Sequence, residues 1–376
     1  MPERVFVCGM LRSGTSLIQT LLTNHPGMVV TYQPFHQLYV DAKRLFLGEH
    51  GIERDLPLDS GDPGGRAERE KFLAWLQERR FDPIEAEYLG RHATTGRGGG
   101  LRDWSPLQAP PGSFIEVRDA LHQAMVDHLG GGSPQIIGSK EVLCEEYVPA
   151  LLTAGIRCVL IIRDPRAVIA SANNGRYPQM VGDRYPLMML IRLWRKSAAY
   201  WLRHRNDPLV CAIRYEDLVA DPLATVNHAA AWLGMAPFPN DLLDAPLKDH
   251  AGRPWMGNSS FGDQHGVDPG SRTAWRDLLD PQEQRFIAAC TKVELEAIGY
   301  PVGPDLDPQE ILDFREDTRG VRDRYLRLHP ADAATLREEA DRLKQLGHRT
   351  AFDDEAARRY LLFPDAIAAA LDEGRT

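Results

Sequence analysis

The opening segment of the chain constrains the fold more than any other. Arg4-Val-Phe-Val-Cys-Gly9 is a short apolar run without alternation, the pattern of a strand covered on both faces. A polar, glycine-bearing turn follows, Met10-Leu-Arg-Ser-Gly-Thr-Ser16. Then Leu17, Ile18, Leu21 and Leu22 recur at helical spacing until Asn24-His-Pro-Gly27 ends the run. A strand, glycine loop and helix in that order present backbone N–H groups and the positive end of a helix to an anion. Gly9 to Ser16 keeps the G-x-x-x-x-G frame of a phosphate loop, but Thr15-Ser16 stands where Lys-Ser/Thr is expected. The lysine that would reach the β- and γ-phosphates of ATP is therefore missing, and Arg12 supplies a cation two residues before Gly14.

The same logic recurs downstream. Ile156–Ile162 is an apolar run followed by Arg163-Asp-Pro-Arg166 and a helical stretch, Ala167–Asn173. Arg163 follows the strand directly and Ser171 lies two helical turns on, so a guanidinium fork and a hydroxyl can converge on one phosphate. A third apolar segment, Leu209–Ile213, precedes Arg214-Tyr-Glu-Asp-Leu218. Continuous apolar strands alternating with helices predict an α/β fold of three layers around a central parallel sheet. Residues 48–113 are rich in Gly, Pro and charge and read as part of a loop-rich, partly helical insertion spanning about 48–135. Leu187–Arg203 and Pro222–Leu233 carry helical periodicity. The division expected is one α/β domain over 1–300 and a charged helical C-terminal extension over 301–376, which either caps a pocket of that domain or forms a homodimer interface.

Composition narrows the function classes. Of 376 residues 43% are hydrophobic, enough for a sizeable core, and the net charge is −9. So acidic a chain argues against a general nucleic-acid or anionic-membrane binder, which needs a basic face. The apolar strings are far shorter than the ~18 residues of a membrane span. Met1-Pro-Glu-Arg4 lacks the apolar core of a secretory signal, so a cytoplasmic location is expected. The five cysteines include no C-x-x-C pair, and three of them sit in apolar runs, as buried reduced thiols would. No metal site is expected.

With these loops in view, the chain resembles the sulfotransferases that use 3′-phosphoadenosine 5′-phosphosulfate (PAPS), over roughly residues 4 to 300. Arg12-Ser-Gly-Thr-Ser-Leu17 is similar to the family's 5′-phosphosulfate loop, in the arginine form of the tyrosylprotein, Golgi carbohydrate and bacterial members. Val159–Ser171 is similar to the 3′-phosphate motif, with Arg163 and Ser171 at its spacing. Ile213-Arg-Tyr-Glu-Asp-Leu218 resembles a segment that would set Tyr215 near the adenine. Asn258-Ser-Ser-Phe261 and Trp275-Arg276 resemble the loop that closes over the nucleotide, with Ser259 and Arg272 as phosphate contacts. The resemblance implies that Arg12, Ser13, Gly14, Thr15, Ser16 and Leu17 hold PAPS or its product PAP, that no metal takes part, and that a small-molecule, natural-product or sugar hydroxyl or amine is sulfated.

The resemblance also implies a catalytic lysine, which Lys140 in Ile136-Ile-Gly-Ser-Lys-Glu141 supplies; the alternative is a surface lysine paired with Glu141. Cations and N–H donors are needed where charge grows on the transferred and leaving oxygens, and Arg12 and Lys140 are the candidates. Relatives often carry a glutamate after the first helix, but here Thr31-Tyr-Gln-Pro-Phe-His36 has Gln33, and an amide is no general base. His36 and Glu141 are the candidate bases. Two other readings stand beside this one. A P-loop kinase would use Asp164, at another strand end, as a magnesium ligand, and a non-catalytic nucleotide-binding protein would account for Gln33. Trp75, Tyr88 and Trp104 are candidates for an aromatic wall at the acceptor, or else ordinary anchors, and Trp194 and Trp201 are expected in the core.

Overall fold

The computed structural model describes residues 2–52, 63–94, 108–129, 134–175, 178, 184–249, 252–255, 257, 266–303, 307–347, 352 and 355–374. Its centre is a five-stranded sheet of β1 (Glu3–Cys8), β2 (Met28–Tyr32), β3 (Ile136–Lys140), β4 (Arg157–Ile162) and β5 (Val210–Arg214), in the order β2-β3-β1-β4-β5. Every pairing is parallel. The registers align the carboxyl ends: Tyr32 lies beside Lys140, Val7 beside Lys140, Cys8 beside Leu160, and Ile162 beside Arg214. Chain order reverses on either side of β1, and such a switch point opens a crevice at the carboxyl ends of the strands.

Alternate strand residues go to opposite faces, and each face has its own core. Val5, Val7, Val159, Ile161 and Ile213 pack with Leu17, Ile18, Leu21 and Leu22 of α1 (Thr15–Thr23) and Val226 of a helix over Pro222–Trp232. Phe6, Cys8, Cys158, Leu160 and Ile162 pack on the other face. Their partners there include Leu38 and Tyr39 of α2 (His36–Glu49), Ala167 and Val168 of α3 (Pro165–Asn173) and Trp194 of α4 (Leu187–His204). Apolar residues on both sides of each strand explain why these strands read as continuous runs. The outcome is helix, sheet, helix, as expected from the sequence.

Within the 48–135 insertion, helices cover Pro63–Glu78, Pro83–His92 and Phe114–Leu129. Trp75 anchors the first of these: its ring packs among Phe46, Phe72 and Phe81, and Nε1 donates to Glu49 Oε2 at 2.6 Å. Tyr88 is exposed, and Trp104 falls outside the described residues. Trp194 and Trp201 are buried on α4. All five cysteines are buried free thiols. Among the described residues no helix is long and apolar enough to cross a membrane.

The C-terminal segment is helical and packs directly on the α/β layers. A helix over Ala333–Leu346 contributes Leu336, Ala340 and Leu343 to the same core as β4 and α4. Two buried ion pairs fix it: Arg195 of α4 to Glu339 at 2.7 Å, and Arg342 to Glu294 at 2.5 Å, with Arg342 also donating to Cys290 O at 2.9 Å. Breaking one partner of such a pair would leave a buried charge uncompensated, at about 3–5 kcal/mol.

Candidate active site

Two backbone features shape the loop between β1 and α1. Gly14 has φ +95°, and a Cβ there would stand 2.3 Å from Tyr215 Cδ2, so only glycine lets the loop lie on the Tyr215 ring. Gly9 meets the backbone of β4 as closely, a Cβ there falling 2.4 Å from Ile161 O. Arg12 also takes a left-handed φ, +63°, a conformation that non-glycine residues hold mainly where surrounding structure enforces it. Ser13 locks the turn through Oγ to Met10 O at 2.5 Å. Ser13, Thr15, Ser16 and Leu17 are buried, and Gly14 brings no side chain over the amino end of α1. The first N–H groups of α1 therefore keep the positive end of the helix at the crevice.

The second loop closes on the first. Arg12 Nε donates to Ser171 Oγ at 3.0 Å, and Arg163 Nη1 donates to Arg12 O at 3.0 Å. Arg163 is 4% exposed. Its carbonyl accepts from Trp194 Nε1 at 2.8 Å, and its guanidinium lies 4.1 Å from the centroid of the Tyr215 ring. Tyr215 and Arg163 share a further partner, Ser271: Tyr215 Oη is 2.6 Å from Ser271 Oγ, and Arg163 Nη2 donates to Ser271 O at 2.5 Å. Arg12, Arg163, Ser171 and Tyr215, spread over two hundred residues, thus form one cluster. Arg272 is exposed beside Ser271, in a short turn over Pro269–Arg272, and Ser259 lies outside the described residues. Ser271 was not singled out from the sequence, because a serine one position before an arginine carries no signal of its own.

The kinase reading loses its ligand. Asp164 caps α3 by accepting from Arg166 N at 2.9 Å, and both carboxylate oxygens are taken by the Arg166 guanidinium, at 2.9 and 2.6 Å.

At the end of β3 successive side chains diverge. Lys140 is 1% exposed, with Nζ 3.8 Å from the Tyr32 ring centroid and 3.4 Å from Gln33 Oε1. It is neither on the surface nor paired with Glu141. Burial is the main cause that lowers its pKa to about 7, with Arg12 adding to the effect and Glu141 opposing it. Glu141, wholly buried, turns the other way. It accepts from Phe35 N at 3.3 Å through Oε1, and its Oε2 lies 3.2 Å from His36 Nδ1. His36 is the first residue of α2 and a quarter exposed. The two candidate bases are therefore one hydrogen-bonded pair. Leu143 N donates to Gly9 O at 3.2 Å, tying the turn after Glu141 to the phosphate loop.

His36 also borders a cavity of about 360 Å³, between α2, the turn Val142–Cys144, α4 and residues 324–329. Neither Trp75 nor Tyr88 lines it.

A parallel sheet with an anion-cradling loop after β1 defines the class of P-loop-like α/β proteins. Within that class, residues 133–298 match the family model described as "Sulfotransferase domain". Over those residues the chain is similar to sulfotransferases. Solved structures similar to it include the sulfotransferase domain from the curacin biosynthetic pathway, 18% identical over 81% of this chain and 99% of that one, with a TM-score of 0.45. The sulfotransferase domain from the Synechococcus PCC 7002 olefin synthase is 17% identical over 74% of this chain and 90% of its own, with a TM-score of 0.42. Mouse sulfotransferase SULT7A1 complexed with PAP is 13% identical over 77% and 84%, with a TM-score of 0.37. No curated protein matches the sequence.

Proposed function

We propose that this enzyme moves a sulfuryl group from PAPS to the hydroxyl of a small acceptor. The observation that carries the proposal is the convergence of Arg12, Arg163 and Ser171 on the phosphate loop, beside Lys140 and the His36–Glu141 pair at the same edge of the sheet. The residues suit PAP: two guanidiniums, a hydroxyl, the amino end of α1 and an aromatic ring match two separate phosphates and a base. When bound, PAPS would supply the sulfuryl group, its bridging oxygen leaving with the S–O electron pair.

The chain's own contributions follow from their positions. Ser13 to Leu17 and Arg12 bind the 5′ end, Arg163 and Ser171 the 3′-phosphate, and Tyr215 the adenine side. Ser259 and Arg272 belong to the closing segment. Lys140, held by Tyr32 and Gln33, directs its ammonium at the leaving oxygen, where negative charge grows. Glu141 takes Nδ1–H of His36, which leaves Nε2 unprotonated to accept the acceptor's proton. His36 then acts as the base and Glu141 as the residue that holds it. The acceptor enters by the cavity that His36 borders. We read the chain as one α/β domain over 1–300 with a helical extension over 301–376.

Thermal shift with PAP, with ATP plus magnesium and with ADP tests the nucleotide. A rise selective for PAP, without added metal, is the expected result. A rise only with ATP and magnesium would overturn the proposal.

A further inference from the structure

Among the described residues, three other than glycine hold a left-handed φ: Arg12 at +63°, Gln33 at +43° and Leu143 at +58°. They follow the carboxyl ends of β1, β2 and β3, so the strain gathers at the reacting edge of the sheet. Such a conformation persists only where its surroundings enforce it. For Leu143 both backbone groups are held. Its N donates to Gly9 O at 3.2 Å, and its carbonyl accepts from Lys196 Nζ at 3.3 Å.

Lys196, on α4, is fully buried. Its ammonium also meets Glu145 Oε2 at 3.1 Å and Glu146 Oε2 at 2.8 Å, both from a single 3-10 turn, Glu145–Tyr147. Ser197 Oγ donates to Glu145, and Lys43 of α2 pairs with Glu146. Tyr147 Oη donates to Tyr39 O at 2.5 Å, a second tie to α2. The cluster sets two cations against two carboxylates. Taking such charges out of water is costly, and apolar side chains of similar volume stabilise a core as well or better. Folding alone therefore does not call for them. What the cluster joins is α2, which begins at His36, the turn that follows Lys140 and Glu141, and α4.

We propose that Lys196 is a positioning residue: through Leu143 it fixes the turn after β3 against the phosphate loop, and so sets Lys140 and Glu141 relative to the bound donor. The inference rests on reading Lys140 and the His36–Glu141 pair as the reacting edge. Lys196 acts through Leu143 and not on the reacting atoms. Without its ammonium the Leu143 peptide can rotate to an ordinary φ, which turns its N–H away from Gly9 O. Glu141 and Lys140 lie just upstream and move with it. Arg12, Arg163, Ser171 and Tyr215 hold one another without Leu143, so donor binding survives the change.

The test uses the full chain. Lys196→Met alone would leave Glu145 short of its cation, so Glu145→Gln is made with it, and the melting temperature checks that the protein folds. Leu143→Gly is made separately and in combination, because glycine takes a left-handed φ without support. Amide exchange at residue 143 is followed by NMR and PAP affinity by calorimetry. PAP release from saturating PAPS is measured with water as the sulfuryl acceptor. In the Lys196→Met/Glu145→Gln protein that amide should exchange at least about tenfold faster, since its bond to Gly9 O opens more often. PAP release should fall about a hundredfold, the effect of a misplacement of about 1 Å. PAP affinity should stay within about threefold.

In the Leu143→Gly background the same two changes should lower PAP release by less than about tenfold, because glycine keeps the turn in place. A cluster that served stability alone would give no such rescue. Equal losses in both backgrounds would overturn the proposal, since Lys196 would then act otherwise than through Leu143. Unchanged PAP release, or unchanged exchange at residue 143, would overturn it too. An unaltered protein that releases no PAP from PAPS would instead overturn the donor reading, and exchange at residue 143 would then decide the positioning role by itself.

Discussion

On the proposed phosphate side, Arg12 and Arg163 follow two strand ends and Ser171 lies on α3, and the left-handed backbone at Arg12 together with the bonds from Arg12 Nε to Ser171 and from Arg163 to Arg12 O ties them together. On the acceptor side, His36, Glu141 and the cavity draw on α2, the turn after β3, α4 and residues 324–329, and side chains fix them. The first side is a local solution to a general problem, binding an anion with N–H groups and guanidiniums. The second is assembled at long range and is where chains of one fold diverge. Substitutions on the phosphate side should therefore change PAP affinity, and substitutions on the acceptor side turnover.

Lys140 stands between the two and should give the largest effect. Lys140→Ala is expected to lower kcat by about a thousandfold, the upper range for removing one stabiliser of developing charge, with PAP affinity falling far less. Its pH dependence has a definite sign. In the free protein burial holds the pKa at about 7, so the ammonium is present below that and lost as pH rises through it. The logarithm of kcat/KM, which reports the free enzyme, should therefore decline above pH about 7 in the unaltered protein. In Lys140→Ala that limb should vanish. A limb that persists in the variant would assign it to another group, and unchanged kcat would remove Lys140 from the chemistry.

The next effect tests the acceptor side. Glu141→Gln keeps the shape of the side chain and the bond from Phe35 N, but its NH2 group would donate to His36 Nδ1. The proton then moves to Nε2, the wrong tautomer for a base. A fall in kcat of about a hundredfold is expected, within the range for general base catalysis, with unaltered PAP affinity. Full activity in Glu141→Gln would show that His36 does not act through this carboxylate.

The contrast between the two sides also explains how much the sequence disclosed. Strands β1, β4 and β5 and helices α1, α3 and α4 announce themselves, because a strand covered on both faces must be continuously apolar and a helix between layers must keep its 3.6-residue period. β2 did not stand out, although Met28-Val-Val-Thr-Tyr32 has strand character, because it is brief and abuts the turn that ends α1. On the proposed phosphate side Ser271 has no sequence signal, since it gives a backbone carbonyl to Arg163, 108 residues away, and a hydroxyl contact to Tyr215, 56 residues away. On the acceptor side the residues were named but not their relation. His36 and Glu141 are 105 positions apart and read as rival bases until the pairing of β3 with β1 and β2 brings them into contact.

The smallest expected effect falls on the phosphate side and is the cleanest measure of the difference. Arg163 makes two bonds to carbonyls, those of Arg12 and Ser271, and both lie where an anion would compete for the same N–H groups. A charge-assisted bond to a phosphate is worth about 1.5–3 kcal/mol, and surrendering carbonyl partners puts the net gain at the lower end. Arg163→Ala should therefore weaken PAP by about 1.5–2 kcal/mol, roughly 10- to 30-fold by calorimetry. Saturating donor should restore most of kcat, because the residue acts on binding and not on the reacting bond. Arg163→Lys should recover little of the loss, since an ammonium cannot span both Arg12 O and Ser271 O as the fork does. An Arg163→Ala protein that binds PAP normally but turns over slowly would invert the division, placing Arg163 with the chemistry and leaving Ser171 and the amino end of α1 to hold the 3′-phosphate.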